Sequence, residues 1–102
     1  MTFYVYKLHR IVGVAALKIE KDSANIRWVH VLPEYRKKGI GGALLGHIEK
    51  EAKRAGVRRL KAFYVFENAF WARKFYEKLG FRKSESIMMP WKGRAWVYVK
   101  DI

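Results

Sequence analysis

Cysteine is absent from the 102 residues, which excludes disulfides, thiolate metal sites and a cysteine nucleophile. Proline occurs only twice, at Pro33 and Pro90, so no proline-rich linker divides the chain. Long apolar runs are missing as well. The longest, such as Ile11 to Leu17, stop far short of the roughly 20 residues a membrane span needs. Met1-Thr2-Phe3-Tyr4 lacks the basic region, apolar core and small-residue cleavage site of an export signal, so a cytoplasmic protein is expected. Acidic residues are scarce, with 9 Asp plus Glu against 22 Lys plus Arg, a formal charge of +13.

Apolar residues make up 51% and aromatics 16%, a composition that folds rather than stays disordered. The length fits one domain, residues 1–102. The positive field would attract nucleic acid, anionic cofactors or acidic partners. The basic runs are scattered, at Lys50 to Arg54, Arg58 to Lys61, Arg73-Lys74, Arg82-Lys83 and Lys92 to Arg94, which also suits a solvated surface. Only Arg36-Lys37-Lys38 stands beside glycines.

Thr2 to Leu8 and Ile11 to Glu20, rich in aromatic and β-branched residues, read as a strand pair joined at His9-Arg10. Gly13 implies a bulge or a close backbone approach. Ala24 to Leu32 reads as a third strand ended by Pro33. Its alternation puts Ile26, Trp28 and His30 on one face and Arg27, Val29 and Val31 on the other. The period then becomes helical, with Ile40, Leu44, Ile48 and Ala52 forming a stripe that Gly56 ends. Arg58 to Phe66 is a strand. Asn68 is placed to cap a second helix carrying Ala72, Phe75, Tyr76 and Leu79, with Gly80 at its end. Phe81 to Met89 and Ala95 to Lys100 are two more strands. The order βββαβαββ makes an α/β fold, a mixed sheet with helices against it.

Between the third strand and the first helix stand Arg36-Lys37-Lys38-Gly39-Ile40-Gly41-Gly42. A helix start leaves unpaired amides and carries the positive end of the dipole, and the absent side chains of Gly39 and Gly41 let phosphate oxygens approach. Tight packing of helix on sheet is the other reason for such glycines. A mononucleotide loop needs Gly-Lys followed by Ser or Thr, and a dinucleotide fingerprint needs G-x-G-x-x-G with a downstream acid. Neither string is present.

Val29 through Gly41 resembles the acetyl-coenzyme A signature of the GNAT acetyltransferase superfamily, R-x-x-G-x-G/A after a V-x-P strand end. Asn68 through Phe81 is similar to that family's other recurring block, and Ile11 to Ala15 resembles its second and third strands. The resemblance implies transfer of an acetyl group from acetyl-coenzyme A to a primary amine, without a metal. It implies that the backbone of Val29 and Val31 pairs with the pantetheine arm, and that amides from Lys37 through Gly42 hold the pyrophosphate beside Arg36. Asn68 would bond the pantetheine side, a role compatible with capping. Tyr76 would protonate the leaving thiolate as general acid; a core tyrosine with a paired hydroxyl is the competing reading. No base is assigned: His30 is the candidate, a structural histidine the alternative, and Glu34, Glu20 or water the remaining choices. Asn25 stands near the place where some members carry a glutamate.

Most members of that family have a further strand and two helices before the segment that begins at Met1. Thr2 to Leu8 is therefore expected to be an edge strand that a second copy covers, giving a homodimer. Phe70, Trp71, Trp91 and Trp96 are interface or acceptor-pocket candidates, or core. A non-catalytic module binding coenzyme A or a partner is the alternative function, and the charge leaves an RNA- or nucleoprotein-associated role open, with non-specific contacts.

Overall fold

A computed structural model describes all residues, 1–102. Strand β1 (Thr2–Lys7) turns back into β2 (Ile11–Glu20), which pairs with β3 (Ser23–Val31). A 3-10 turn at Pro33–Tyr35 leads to α1 (Ile40–Arg54), then β4 (Arg59–Phe66), α2 (Phe70–Lys78), β5 (Arg82–Met89) and β6 (Gly93–Asp101). The six strands lie in the order β1-β2-β3-β4-β6-β5, and only β3 with β4 is parallel. The expected element order holds, with ends displaced by a residue or two.

Both helices pack on one face of the sheet. The stripe Ile40, Leu44, Ile48 and Ala52, with Leu45, joins Tyr76 of α2 and Tyr98 of β6 in one core cluster. Ile48, with no exposed surface, contributes about 1.5–3 kcal/mol by its burial. Gly13 of β2 lies under this helix: a β-carbon there would sit 2.9 Å from Ile40 Cγ2. The close backbone approach expected from that glycine is present.

The far face is barer. Ala16, Ala95, Val97 and Val99 are buried but stand outside the main cluster. Beside them Phe3 and Trp28 meet at 5.9 Å between ring centroids while remaining 62% and 43% exposed.

Two expectations are corrected. Ala16 faces Trp28 while Leu17 faces Ile26, so Arg27 is an extra residue in β3. That bulge turns Ile26 into the helix-side core with Val29 and Val31, and leaves Trp28 and His30 on the other face. Asn68 caps nothing. The residue before α2 is Ala69, no side-chain cap bond forms, and Asn68 is exposed.

Candidate active site

The parallel ladder between β3 and β4 is short, running from Ser23–Arg59 to Ile26–Ala62. Beyond it Arg27 is the extra residue of β3, and in β4 the pairing to β6 jumps from Ala62 to Val65, with Tyr64 at φ 59°. Irregularities in both strands pull them apart. A wedge opens between residues 28–31 and 63–66.

One edge of β3 in this wedge is unpaired. Leu32 donates its amide to the Val12 carbonyl at 2.9 Å, so the alternation of an antiparallel pair turns the amides and carbonyls of Val29 and Val31 away from β2. The Val31 carbonyl accepts Arg36 Nε at 3.0 Å, which fixes that arginine at the mouth.

The loop after β3 is shaped for an anion. Lys37 and Gly39 have φ of 62° and 81°, left-handed conformations that glycine adopts freely and lysine at some cost. Ala43 is the first amide after Arg36 with a backbone acceptor, the Gly39 carbonyl at 3.0 Å. The amides of Lys37 through Gly42 therefore donate to no protein acceptor, at the positive end of a 15-residue helix. Lys37 and Lys38 are exposed beside them. The two glycines divide the work. Around Gly39 nothing lies within 4 Å, whereas a β-carbon at Gly41 would meet Phe75 Cε1 at 2.8 Å. Gly41 is thus also required by the packing of α1 against α2, while Gly39 leaves open space before the amides.

Tyr76 is buried in that second helix, its ring edge-on to Phe75 at 5.1 Å and Phe81 at 5.2 Å and tilted to Tyr98 at 6.2 Å. Its hydroxyl makes no hydrogen bond to the protein, unlike Tyr98, which donates to Glu77 Oε2 at 2.7 Å. Burial pushes the Tyr76 phenol up to about 12, so it keeps its proton at neutral pH. The ring thus belongs to the core while its hydroxyl has no protein partner.

The base candidates separate. His30 is exposed on the face opposite Tyr76, and Glu34 is exposed in the 3-10 turn. Glu20 ends β2 beside Ser23 at the far end of the sheet, paired with Lys18 at 3.6 Å, which removes it from the site. Asn25 is buried within the paired part of β3 and accepts from Ser23 at 3.4 Å. Trp71 and Trp91 are exposed, while Trp96 is half-buried beneath Lys83, whose Nζ lies 4.9 Å from its ring. Spacing alone could not have shown Phase-setting contacts such as Phe75 on Gly41, because it carries no interhelical distance. Tyr64 was missed too, having no glycine to mark its positive φ. No group of His, Cys, Asp and Glu is arranged to hold a metal ion, and no helix is long and apolar enough to cross a membrane.

A family profile described as Acetyltransferase (GNAT) domain matches residues 1–83. The uncharacterized N-acetyltransferase YycN of Bacillus subtilis is 31% identical over 85 residues, 68% of this chain and 54% of that protein. The [ribosomal protein bS18]-alanine N-acetyltransferase of Escherichia coli is 30% identical over 84 residues, covering 82% and 56%. The chain spans about half the length of these curated relatives. Arabidopsis thaliana Naa50, solved with the bisubstrate analogue CoA-Ac-MVNAL, superposes with a TM-score of 0.86 at 26% identity over 98% of this chain and 72% of that one. With the profile running from β1 through the wedge, the loop and α2, this chain belongs to the GNAT acetyltransferase family.

Proposed function

We propose that the chain transfers an acetyl group from acetyl-coenzyme A to a primary amine. The observation that carries this reading is the run of unpartnered amides from Lys37 through Gly42, set beside the strand edge of Val29 and Val31, which no strand covers and where only the Val31 carbonyl is taken, by Arg36. A diphosphate would accept from those amides, with Arg36, Lys37 and Lys38 adding charge at the same mouth. The pantetheine arm would run along Val29 and Val31 as an added strand. Asn68, exposed where β4 meets α2, would contact its far side.

The amine lone pair attacks the thioester carbonyl carbon as the carbon–sulfur bond breaks. Tyr76 donates to the sulfur as negative charge develops there. Its raised pKa makes it a weak acid, so its part is a hydrogen bond to the sulfur that strengthens as the charge develops. His30, on the opposite face, flanks the side from which an amine could enter and is the candidate to accept its proton, with water as the other acceptor.

Calorimetry with coenzyme A tests the reading. Binding is expected, and Gly39→Val should weaken it at least tenfold, because a branched side chain at φ 81° would both strain the loop and fill the space before the amides. Absence of binding by the parent protein would remove the reading. Release of thiol with an amine panel then separates an enzyme from a module that only binds. We further propose that two copies associate through the β1 edge and the Phe3–Trp28 face, for which the exposed rings are the support; light scattering returning a single chain mass would refute it.

A further inference from the structure

A second cationic place stands apart from the diphosphate loop. Where β4 ends and α2 begins, a cleft of about 440 Å³ is bounded by Arg73 of α2, by Lys92 and Arg94 of the β5–β6 turn, and by Glu67, Asn68 and Phe70. Phe75 faces α1, and a residue two positions away lies on the other side of a helix, so Arg73 opens onto the flank of α2 away from the loop.

The groups there are held but not satisfied. Arg73 Nη1 donates to the Glu67 carbonyl at 2.8 Å, and its guanidinium lies 5.7 Å from the Phe70 ring centroid. Its Nε is buried without an acceptor. Arg94 donates to Ser86 Oγ at 2.8 Å and reaches Glu67 Oε2 only at 4.0 Å. The one other buried side-chain donor lacking a partner is Trp96 Nε1, in the ring 6.0 Å from the Arg94 guanidinium. Lys92 Nζ lies 5.7 Å from the Phe66 ring centroid and forms no ion pair. Of these two donors, Arg73 Nε belongs to a residue that lines the cleft. Against Arg73, Lys92 and Arg94 stand Glu67 in the cleft and Glu77, which acts with Arg73 on the Tyr98 hydroxyl, so a net positive charge remains, and two guanidiniums and an ammonium suit an anion with several acceptor oxygens such as a phosphate monoester.

We infer that this cleft binds a phosphate group carried by the amine acceptor, so that the acceptor class is a phosphorylated amine. The inference rests on the acetyl-transfer reading for its use and on the cleft alone for its existence. The cleft opens at the same end of the sheet as the wedge, since β4 runs from the wedge at residues 63–66 straight into Glu67 and Asn68. Its volume exceeds one phosphate, leaving room for the linking atoms.

Two measurements test it. In the first, inorganic phosphate is titrated into the coenzyme A-saturated protein at constant ionic strength, with chloride as control, and amide resonances are followed. Saturable shifts are expected at 68, 73 and 92–94, lost at least tenfold in affinity in the Lys92→Gln/Arg94→Gln variant, while coenzyme A binding is unchanged. Shifts confined to 37–42, or equal shifts with chloride, overturn the site. If the protein does not bind coenzyme A, the titration is run without it; the acetyl-transfer reading then fails while the cleft is still judged. In the second, aminoalkyl phosphates of increasing length are compared with the matching aminoalkanols. At one length the phosphate should raise kcat/KM at least tenfold, and the double variant should erase that ratio without lowering the aminoalkanol rate. Phosphate binding with no such preference at any length would mean a free-anion site and would overturn the acceptor assignment.

Discussion

Gly41 and Phe75 meet so closely that a β-carbon on the glycine would stand 2.8 Å from Phe75 Cε1 and 3.1 Å from Cζ. The first turn of the helix that starts at the anion loop is thereby locked against the second turn of the helix that carries Tyr76. Gly41→Ala should destabilise the fold by about 1–3 kcal/mol through overpacking, since a half-buried ring against the core has little room to retreat. Chemical denaturation would measure it, and Phe75→Leu in the same chain should recover part of the loss.

Gly46 gives the opposite sign. It is exposed within α1, and nothing lies within 4 Å of where its β-carbon would be. Gly46→Ala should stabilise by about 0.5–1 kcal/mol, as helical propensity and reduced freedom of the unfolded chain both favour alanine. For a domain this small that is a rise in Tm of about 2–8 °C. A fall in Tm would show that the site is not free.

The fold was legible wherever one period or one glycine decides. The helical stripe from Ile40 to Ala52 names its own buried face, and Gly13 announces the helix above it. The β3 bulge was hidden because strict alternation still gives each face apolar residues, Ile26 and Trp28 on one and Val29 and Val31 on the other, and the charge of Arg27 alone does not say that it is the extra residue. Asn68 misled for a related reason. Capping depends on backbone angles one residue away, and the helix starts a residue later than its side chain requires. Of the site, the loop was legible because glycines and basic residues adjoin in sequence. The cleft of Arg73, Lys92 and Arg94 was not, because β5 and β6 bring its parts together over a long separation.

Asp101 ties the sheet's far edge through Arg59 at 3.0 Å and Arg82 at 3.4 Å. The hydrogen bond from Arg59 leads in holding its carboxyl below the ordinary range. A depressed carboxylate stabilises the fold above its unfolded pKa and ceases to do so as pH falls through the folded value. Asp101→Asn should therefore matter little at pH 3 and slightly at pH 7, the effect shrinking in high salt because the pair is exposed. Equal effects at both pH values would mean the contact acts by shape rather than charge.

Tyr98 and Tyr76 sit ring to ring at 6.2 Å, yet only Tyr98 has an acceptor for its hydroxyl, Glu77. Removing each hydroxyl should separate structure from chemistry. Tyr98→Phe should cost about 0.5–1.5 kcal/mol of stability and little activity. Tyr76→Phe loses no hydrogen bond, so stability at neutral pH should hold while kcat falls about 100-fold and coenzyme A affinity stays. The alkaline limb tests the same residue independently. The unfolded chain ionises this phenol near 10.0, whereas the folded one keeps its proton to about 12. Above pH 10 the unfolded state therefore gains stability relative to the native, by about 3 kcal/mol once both values are passed, and Tyr76→Phe should make the alkaline loss of stability shallower. An unchanged kcat in the phenylalanine variant would deny Tyr76 its part in the reaction. An unchanged alkaline slope would deny that its burial governs its proton.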